Sequence, residues 1–349
     1  MGGRRVTNVP PRALVDAPED AEAFRAHAAV LKARNDPRGE FIELQLQLED
    51  ETLDDDTRTE LATRQADLLH AWKHEWLGAL FEFFGDEDIG YGFRRGYLDN
   101  LGADLTDTQL GQLGEHRLLR ELWLHGSEVT DAGVAHLRGL PGLRTLALKA
   151  SGATDAGLAI VGELTTLQSL YVSRRRATDP LSFSAAGIEH LRGLTGLRDL
   201  SLSGLPVAYS LAHLRGLTAL EDLDLSKTCV NDTDLPPLAG FTSLRRLELS
   251  ENAVTDAGLV HLRELSSLEH LSLARTEITD AGLAHLRELS ALQSLSLWDD
   301  AITDDGLVHL REHAALTNLS LVSTRVTKRG VDELKAHLPG CKIDMWMAF

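Results

Sequence analysis

Cysteine is nearly absent from this chain: Cys229 and Cys341 are the only two in 349 residues. Two cannot build the disulfide framework of a small secreted domain, and they lack the close spacing of metal-ligand pairs. Aromatics make up 5%, so leucine, valine and alanine must fill the core. No apolar run reaches the ~20 residues that a membrane helix needs. The opening stretch MGGRRVTNVPPRALVDAPEDAEAF has no signal-peptide core, so a cytoplasmic protein is expected. Positive charge is in deficit. The formal net charge of -18 sets up a field that repels phosphates, so neither nucleic acid nor an anionic membrane is an expected partner.

Signatures of catalysis are missing as well. The sequence has no nucleophile elbow, phosphate loop, HExxH, CxxC or GxGxxG after a strand. Neither cysteine has a neighbour that would activate it. The expectation is a chain that is not an enzyme and takes no cofactor.

What the sequence does contain is a period. Leu119, Leu122 and Leu124 are followed by Leu143, Leu146 and Leu148, 24 residues on. The triplet recurs at Leu167/Leu170/Val172, Leu197/Leu200/Leu202, Leu220/Leu223/Leu225 and Leu244/Leu247/Leu249. It continues at Leu268/Leu271/Leu273, Leu292/Leu295/Leu297 and Leu316/Leu319/Leu321, and a weaker unit around Leu98, Leu110 and Leu113 precedes them. The L-x-L alternation predicts a short strand with one buried face. The second half of each unit, as in VTDAGVAHLRGL, predicts a short helix capped by Thr130/Asp131 and their equivalents. The glycine after that cap recurs at Gly133, Gly157, Gly187, Gly258, Gly282, Gly306 and Gly330. Glycine costs about 1 kcal/mol in a helix, so its recurrence implies close backbone packing. At the ninth position stands a small polar residue, Thr228, Asn252, Thr276, Asp300 or Thr324 in successive units, suited to satisfying the backbone of buried turns.

One such unit cannot bury its own apolar face, so units must stack. The expected fold is α/β: a solenoid of about ten units, with a parallel sheet on a concave side and short helices on a convex side. The pattern resembles the leucine-rich repeat family in its 24-residue bacterial form, over roughly 230 residues. A bias of 28 arginines to 7 lysines fits a GC-rich, bacterial genome.

Residues 19–94 do not repeat and are expected to form an all-helical cap, preceded by a flexible stretch at 1–18 and followed by the solenoid at 95–349. DPRGEFIELQLQ, WKHEWLGAL and GFRRGYLDNL together resemble the repeat-companion domain that precedes leucine-rich repeats in some bacterial proteins. Where that family has a Y-A-D-W-L type stretch, this chain reads AHAAVLKAR. The resemblance implies an end cap for the first repeat. Asp36, Arg38 and Glu40 are read as the chemistry of a helix start rather than as a charged site.

On the outward strand positions, serine and alanine make a smooth floor broken by two features. Asp199, Asp222, Asp224 and Glu248 fall on adjacent strands, where like charges cost about 0.2–1 kcal/mol per pair. Trp123, Tyr171 and Trp298 are aromatics of the kind that anchor interfaces. The rhythm breaks beside them, in YVSRRRATDPLSFSAAGIEHL, where Arg174, Arg175 and Arg176 fall in a six-residue insertion within 173–187. The next unit has 23 residues, and the one after it has Asp234 at the glycine position. A histidine row at His136, His190, His213, His261, His285 and His309 reads as a solvated helix face, because rings spread along a ridge do not converge on one metal. The reading is a protein–protein interaction module, with a protein partner on Trp123, Tyr171, Arg174–Arg176, Asp199, Asp222, Asp224, Glu248 and Trp298. The alternatives are an adaptor with a second docking site on the N-terminal helices and, less favoured, a metal-dependent enzyme built on the mid-array carboxylates. The sequence sets no oligomeric state.

Overall fold

The computed structural model describes residues 8–84, 90–125, 128–149, 152–173 and 183–345, with the backbone alone for 82–84. The chain divides into two compact units, Met1–Ala147 and Leu148–Phe349.

The first unit opens with five helices: α1 (Arg12–Asp16), α2 (Ala21–Ala33), α3 (Arg38–Leu48), α4 (Asp55–Leu77) and α5 (Ala79–Phe84). Each of the longer three begins at an aspartate. Asp20 accepts from the backbone of Glu22 and Ala23, Asp36 from that of Arg38, and Asp54 from that of Thr57; this satisfies donors that a helix start leaves open. Within the stretch expected to be flexible, α1 is folded. Its Leu14 is buried with Phe24, Ala28, Leu31, Ile42 and Tyr97, enough apolar contact to fix so short a helix.

The region is not helical to residue 94. Strands β1 (Gly90–Arg94) and β2 (Tyr97–Ala103) form an antiparallel hairpin. The two turn residues, Arg95 at φ +48° and Gly96 at φ +82°, have the paired positive φ of a type I′ turn, whose twist matches that of the strands it joins. A Cβ on Gly96 would lie 2.5 Å from Ile42. Strand β3 (Glu121–Leu124) pairs parallel with β2, and β4 (Thr145–Lys149) spans the division between the units.

The three stretches that resemble a companion domain meet in one core. Phe41 packs at 4.8 Å from Trp76, and Phe93 lies 6.0 Å from Trp76. Arg38 is inside this core rather than at the surface. Its guanidinium sits over the rings of Trp76 and Tyr97 at 5.5 and 5.0 Å and donates to Asn8 Oδ1 at 2.8 Å. Glu40 faces outward and takes a two-point bond from Arg64. Helix-start chemistry therefore accounts for Asp36, and aromatic packing for Arg38.

The second unit carries β5 (Ser169–Ser173), β6 (Asp199–Ser201), β7 (Asp222–Asp224), β8 (Arg246–Glu248), β9 (His270–Ser272), β10 (Ser294–Ser296), β11 (Asn318–Ser320) and β12 (Lys342–Asp344). They lie in chain order, all parallel, with Leu170, Leu200, Leu223, Leu247, Leu271, Leu295, Leu319 and Ile343 in register. Every one of these leucines is buried, each worth roughly 1.5–3 kcal/mol. After each strand from β6 to β11 the chain turns out of the sheet through a residue at positive φ: Gly204, Lys227, Glu251, Arg275, Asp299 and Ser323.

The recurrent glycine has a specific cause. The aspartate of one unit reaches forward to the threonine of the next. Thr255 gives its N–H and hydroxyl to Asp232, Thr279 to Asp256, Thr303 to Asp280 and Thr327 to Asp304, all at 2.5–2.8 Å. That carboxylate lies where a side chain would leave the next unit's glycine: a Cβ on Gly258, Gly282, Gly306 or Gly330 would stand 2.2–2.4 Å from it. The glycine accommodates a side chain of the preceding unit rather than its backbone.

The irregular pair inverts this arrangement. Tyr209 occupies the aspartate position and offers no carboxylate, and Asp234 fills the glycine position of the following unit. Asp234 Oδ1 accepts from Tyr209 N at 2.6 Å and Oδ2 from Asn231 N at 3.0 Å. The same inter-unit bond is made from the opposite side. Asp234→Ala should leave the Tyr209 amide without its acceptor and cost about 1–3 kcal/mol, measurable by urea denaturation.

A candidate binding site on the open sheet face

Alternate residues of a strand face the same way, so the residues flanking each buried leucine line the sheet face opposite the helices. Across β5–β8 the parallel register places Asp199, Asp222 and Arg246 in one row and Ser201, Asp224 and Glu248 in the next. With Tyr171, Lys149, Ser203 and Lys227 these line an open cavity of about 650 Å³. Five of the sequence-derived contacts, Tyr171, Asp199, Asp222, Asp224 and Glu248, come together here.

The carboxylates are held in place by neighbours. Asp199 Oδ2 accepts from Ser169 Oγ at 2.6 Å and Asp224 Oδ2 from Ser201 Oγ at 2.9 Å, while Asp224 Oδ1 takes the Ser226 amide at 2.9 Å. Asp222 pairs with Arg246 Nε at 3.0 Å. Partial burial still pushes the Asp222 carboxyl above its ordinary range, Arg246 opposing and Asp199 and Asp224 adding to the shift. Glu248 is raised for the same first reason, with a Ser272 hydrogen bond working against it. The floor thus holds partly desolvated carboxylates beside cations and one aromatic ring, an arrangement suited to polar recognition. Lys227 enters from the turn after β7 and pairs with Glu251 at 3.1 Å.

The remaining candidates lie elsewhere. Trp123 is half-buried on β3 of the first unit, opposite Gly102. Trp298 is also half-buried: the Arg275 guanidinium stacks on it at 4.1 Å and contacts Asp299 at 3.4 Å. Tyr171 is half-buried too, so none of these three outward strand positions leaves its ring open to solvent. On Trp298 the Arg275 guanidinium covers part of the ring. Arg174, Arg175 and Arg176 lie outside the described residues. Tyr209, 79% exposed, was the aromatic missed by strand counting; its mark in the sequence is a tyrosine where TDAG calls for aspartate.

Among the described residues no group of three or more His, Cys, Asp or Glu side chains is placed to hold a metal ion. Within the histidine row, His285 Nδ1 bonds to the guanidinium of Arg263 in the preceding unit. No helix of the described residues is long and apolar enough to cross a membrane.

The family model "Leucine Rich repeat" matches residues 242–262 and 264–289. No curated protein sequence matches the chain. Among solved structures, internalin C2 of Listeria monocytogenes is similar at 24% identity, over 61% of this chain and 84% of that one, with a TM-score of 0.43. Internalin InlF of the same organism is similar at 20% identity over 70% of this chain and 86% of its own, TM-score 0.45. The leucine-rich-repeat ectodomain of the Arabidopsis thaliana membrane receptor kinase GASSHO1/SCHENGEN3 is similar at 18% identity, over 71% of this chain and 30% of that one, TM-score 0.47. The strand–turn–helix unit, held in register from β5 to β12 and matched by the family model across two of its repeats, makes this a leucine-rich repeat protein in fold.

Proposed function

We propose that this chain is a non-catalytic interaction module that binds a protein partner on the open face of β5–β8. The observation that carries this reading is the 650 Å³ cavity, where Tyr171 stands beside in-register carboxylates and Arg246. A single aromatic among charged rows supplies an anchor and a polar surround, the composition of protein-binding patches. The N-terminal helices act in this reading as the companion domain that caps the first repeat. A second docking site there would call for exposed apolar surface on the helices of residues 37–84, of which the side chains of 82–84 lie outside the described residues. The exposed large hydrophobics of the described residues are Val9, Val30, Tyr209, Val260 and Val308, none of them on that stretch.

The test is affinity capture from a lysate of the native host with wild type, Tyr171→Ala, Asp222→Asn and, as control, Val308→Ala on the opposite side of the array. A partner weakened tenfold or more by the first two and retained by the third supports the open face. Equal retention by all three overturns the reading.

A further inference from the structure

The turns after β7 and β8 enclose buried backbone groups, and Asn252 satisfies them. Its Oδ1 accepts from the amides of Thr228 and Val230 at 3.0 and 3.1 Å. Its Nδ2 donates to the carbonyls of Leu225 and Leu249 at 2.6 and 3.0 Å. The side chain needs one accepting and one donating end, which an amide provides.

Two units later the same place is held by Asp300. It is 4% exposed. Its Oδ1 repeats the asparagine's accepting role, taking the Thr276 amide at 2.8 Å and hydroxyl at 3.2 Å. Its Oδ2 replaces the donating Nδ2 and has no hydrogen-bond partner. The carbonyls equivalent to Leu225 and Leu249 are those of Leu273 and Leu297. An ionised carboxylate offers these oxygens only another acceptor, and a buried charge without a partner is costly. A carboxylic acid has the O–H that the position requires.

The surroundings give the charged form no help. No ion pair reaches Asp300 among the described residues. The neighbouring Asp299 is a like charge, itself facing Arg275 at 3.4 Å, and the adjacent turns contribute the uncharged Thr276 and Thr324.

We propose that the folded protein favours the neutral acid form of Asp300, whose O–H donates into the backbone of the turn as a repeat asparagine would, and that losing this proton at higher pH loosens the stack around β9–β11. The array thereby contains a pH-sensitive joint at one defined turn. Burial agrees with this: it pushes the Asp300 carboxyl up to about 6, the Thr276 bonds opposing and Asp299 adding to the rise.

The sign follows from linkage. The folded-state value lies above that of the unfolded chain, so the folded state holds the proton more tightly. The contribution is fully present below about pH 4, declines as pH rises through about 6 and is lost above that. A difference of about two pH units corresponds to roughly a hundredfold in the unfolding equilibrium.

The experiment compares wild type with Asp300→Asn, using urea denaturation and amide hydrogen exchange of residues 270–325 from pH 4 to 8. Carbon-13 NMR follows the Asp300 carboxyl directly. The expected result is a carboxyl midpoint near 6, with wild type losing up to a hundredfold in stability relative to the variant between pH 4 and 8. Amides of the β9–β11 turns should exchange faster in wild type at the high end. A midpoint at or below about 4.5, or identical pH profiles for the two proteins, overturns the proposal. Asp300→Ala supplies a control for simple loss of packing: it removes the acceptor for Thr276 and should be weaker than Asp300→Asn at every pH.

Discussion

Replacing Arg38 with alanine should destabilise the N-terminal helical region by about 3–5 kcal/mol, the range for losing one member of a buried polar set. Arg38 is 2% exposed, and its guanidinium lies over both Trp76 and Tyr97. Truncation would remove the filling between two rings and strand Asn8 Oδ1 in the interior. Arg38 also links the structure around it: α3 carries it, α4 provides Trp76, and β2 provides Tyr97, which in turn bonds His27 of α2 at 2.8 Å. Its loss should therefore act on the whole helical region. Arg64→Ala, removing an exposed pair with Glu40, should cost under about 1 kcal/mol. Urea denaturation followed by Trp72 and Trp76 fluorescence separates the two. A loss at Arg38 no larger than at Arg64 would show that the sandwich is not a keystone.

Why Arg38 eluded sequence reading, while Asp36 did not, is a matter of range. A helix start is local: Asp36 needs only the amide two residues on. The burial of Arg38 depends on rings 38 and 59 residues away, and nothing near DPRGEF marks them. The repeat itself was legible because its signal is also local and is copied: the L-x-L triplets gave the strands, their order and the face bearing Asp199, Asp222, Asp224 and Glu248. Register then turned four scattered acids into two rows. Lys227 was not legible as a lining residue. It occupies the positive-φ corner after its strand, as do Glu251, Arg275 and Asp299, and side chains there carry no sequence mark; only Gly204, at the equivalent corner, does. Trp298 is half-buried because Arg275 of the preceding unit's corner covers it, and nothing near Trp298 in the sequence marks that contact. The hairpin at β1–β2 was hidden because GYGFRRGYL is short and the helices before it set the expectation.

The glycine of the repeat should prove a constraint imposed by the neighbouring unit. In Gly282→Ala the new methyl would stand 2.2 Å from Asp256 Oδ1, so either the carboxylate leaves Thr279 or the helix shifts. Overpacking of this kind costs about 1–3 kcal/mol, with the lost Thr279 bonds in addition. Asp256→Ala alone removes those bonds and should cost about 1 kcal/mol. In the double variant the closest obstacle is gone and Ile278 Cγ2, 3.0 Å from the methyl, has only to give slightly, so the two losses should not add, and a coupling of about 0.5–3 kcal/mol is expected. Gly240→Ala is the control: a Cβ there meets nothing within 4 Å, and its effect should stay within about 0.5 kcal/mol. Additivity within that margin would mean the helix itself, not the aspartate, demands glycine. The Tyr209–Asp234 pair argues against additivity: in the unit that follows Tyr209, a side chain stands at the glycine position and carries the carboxylate itself. At the Tyr209 junction the carboxylate comes from the later unit instead of the earlier one, and this exchange lets the 23-residue unit pass to its 24-residue successor beside the cavity without breaking the stack.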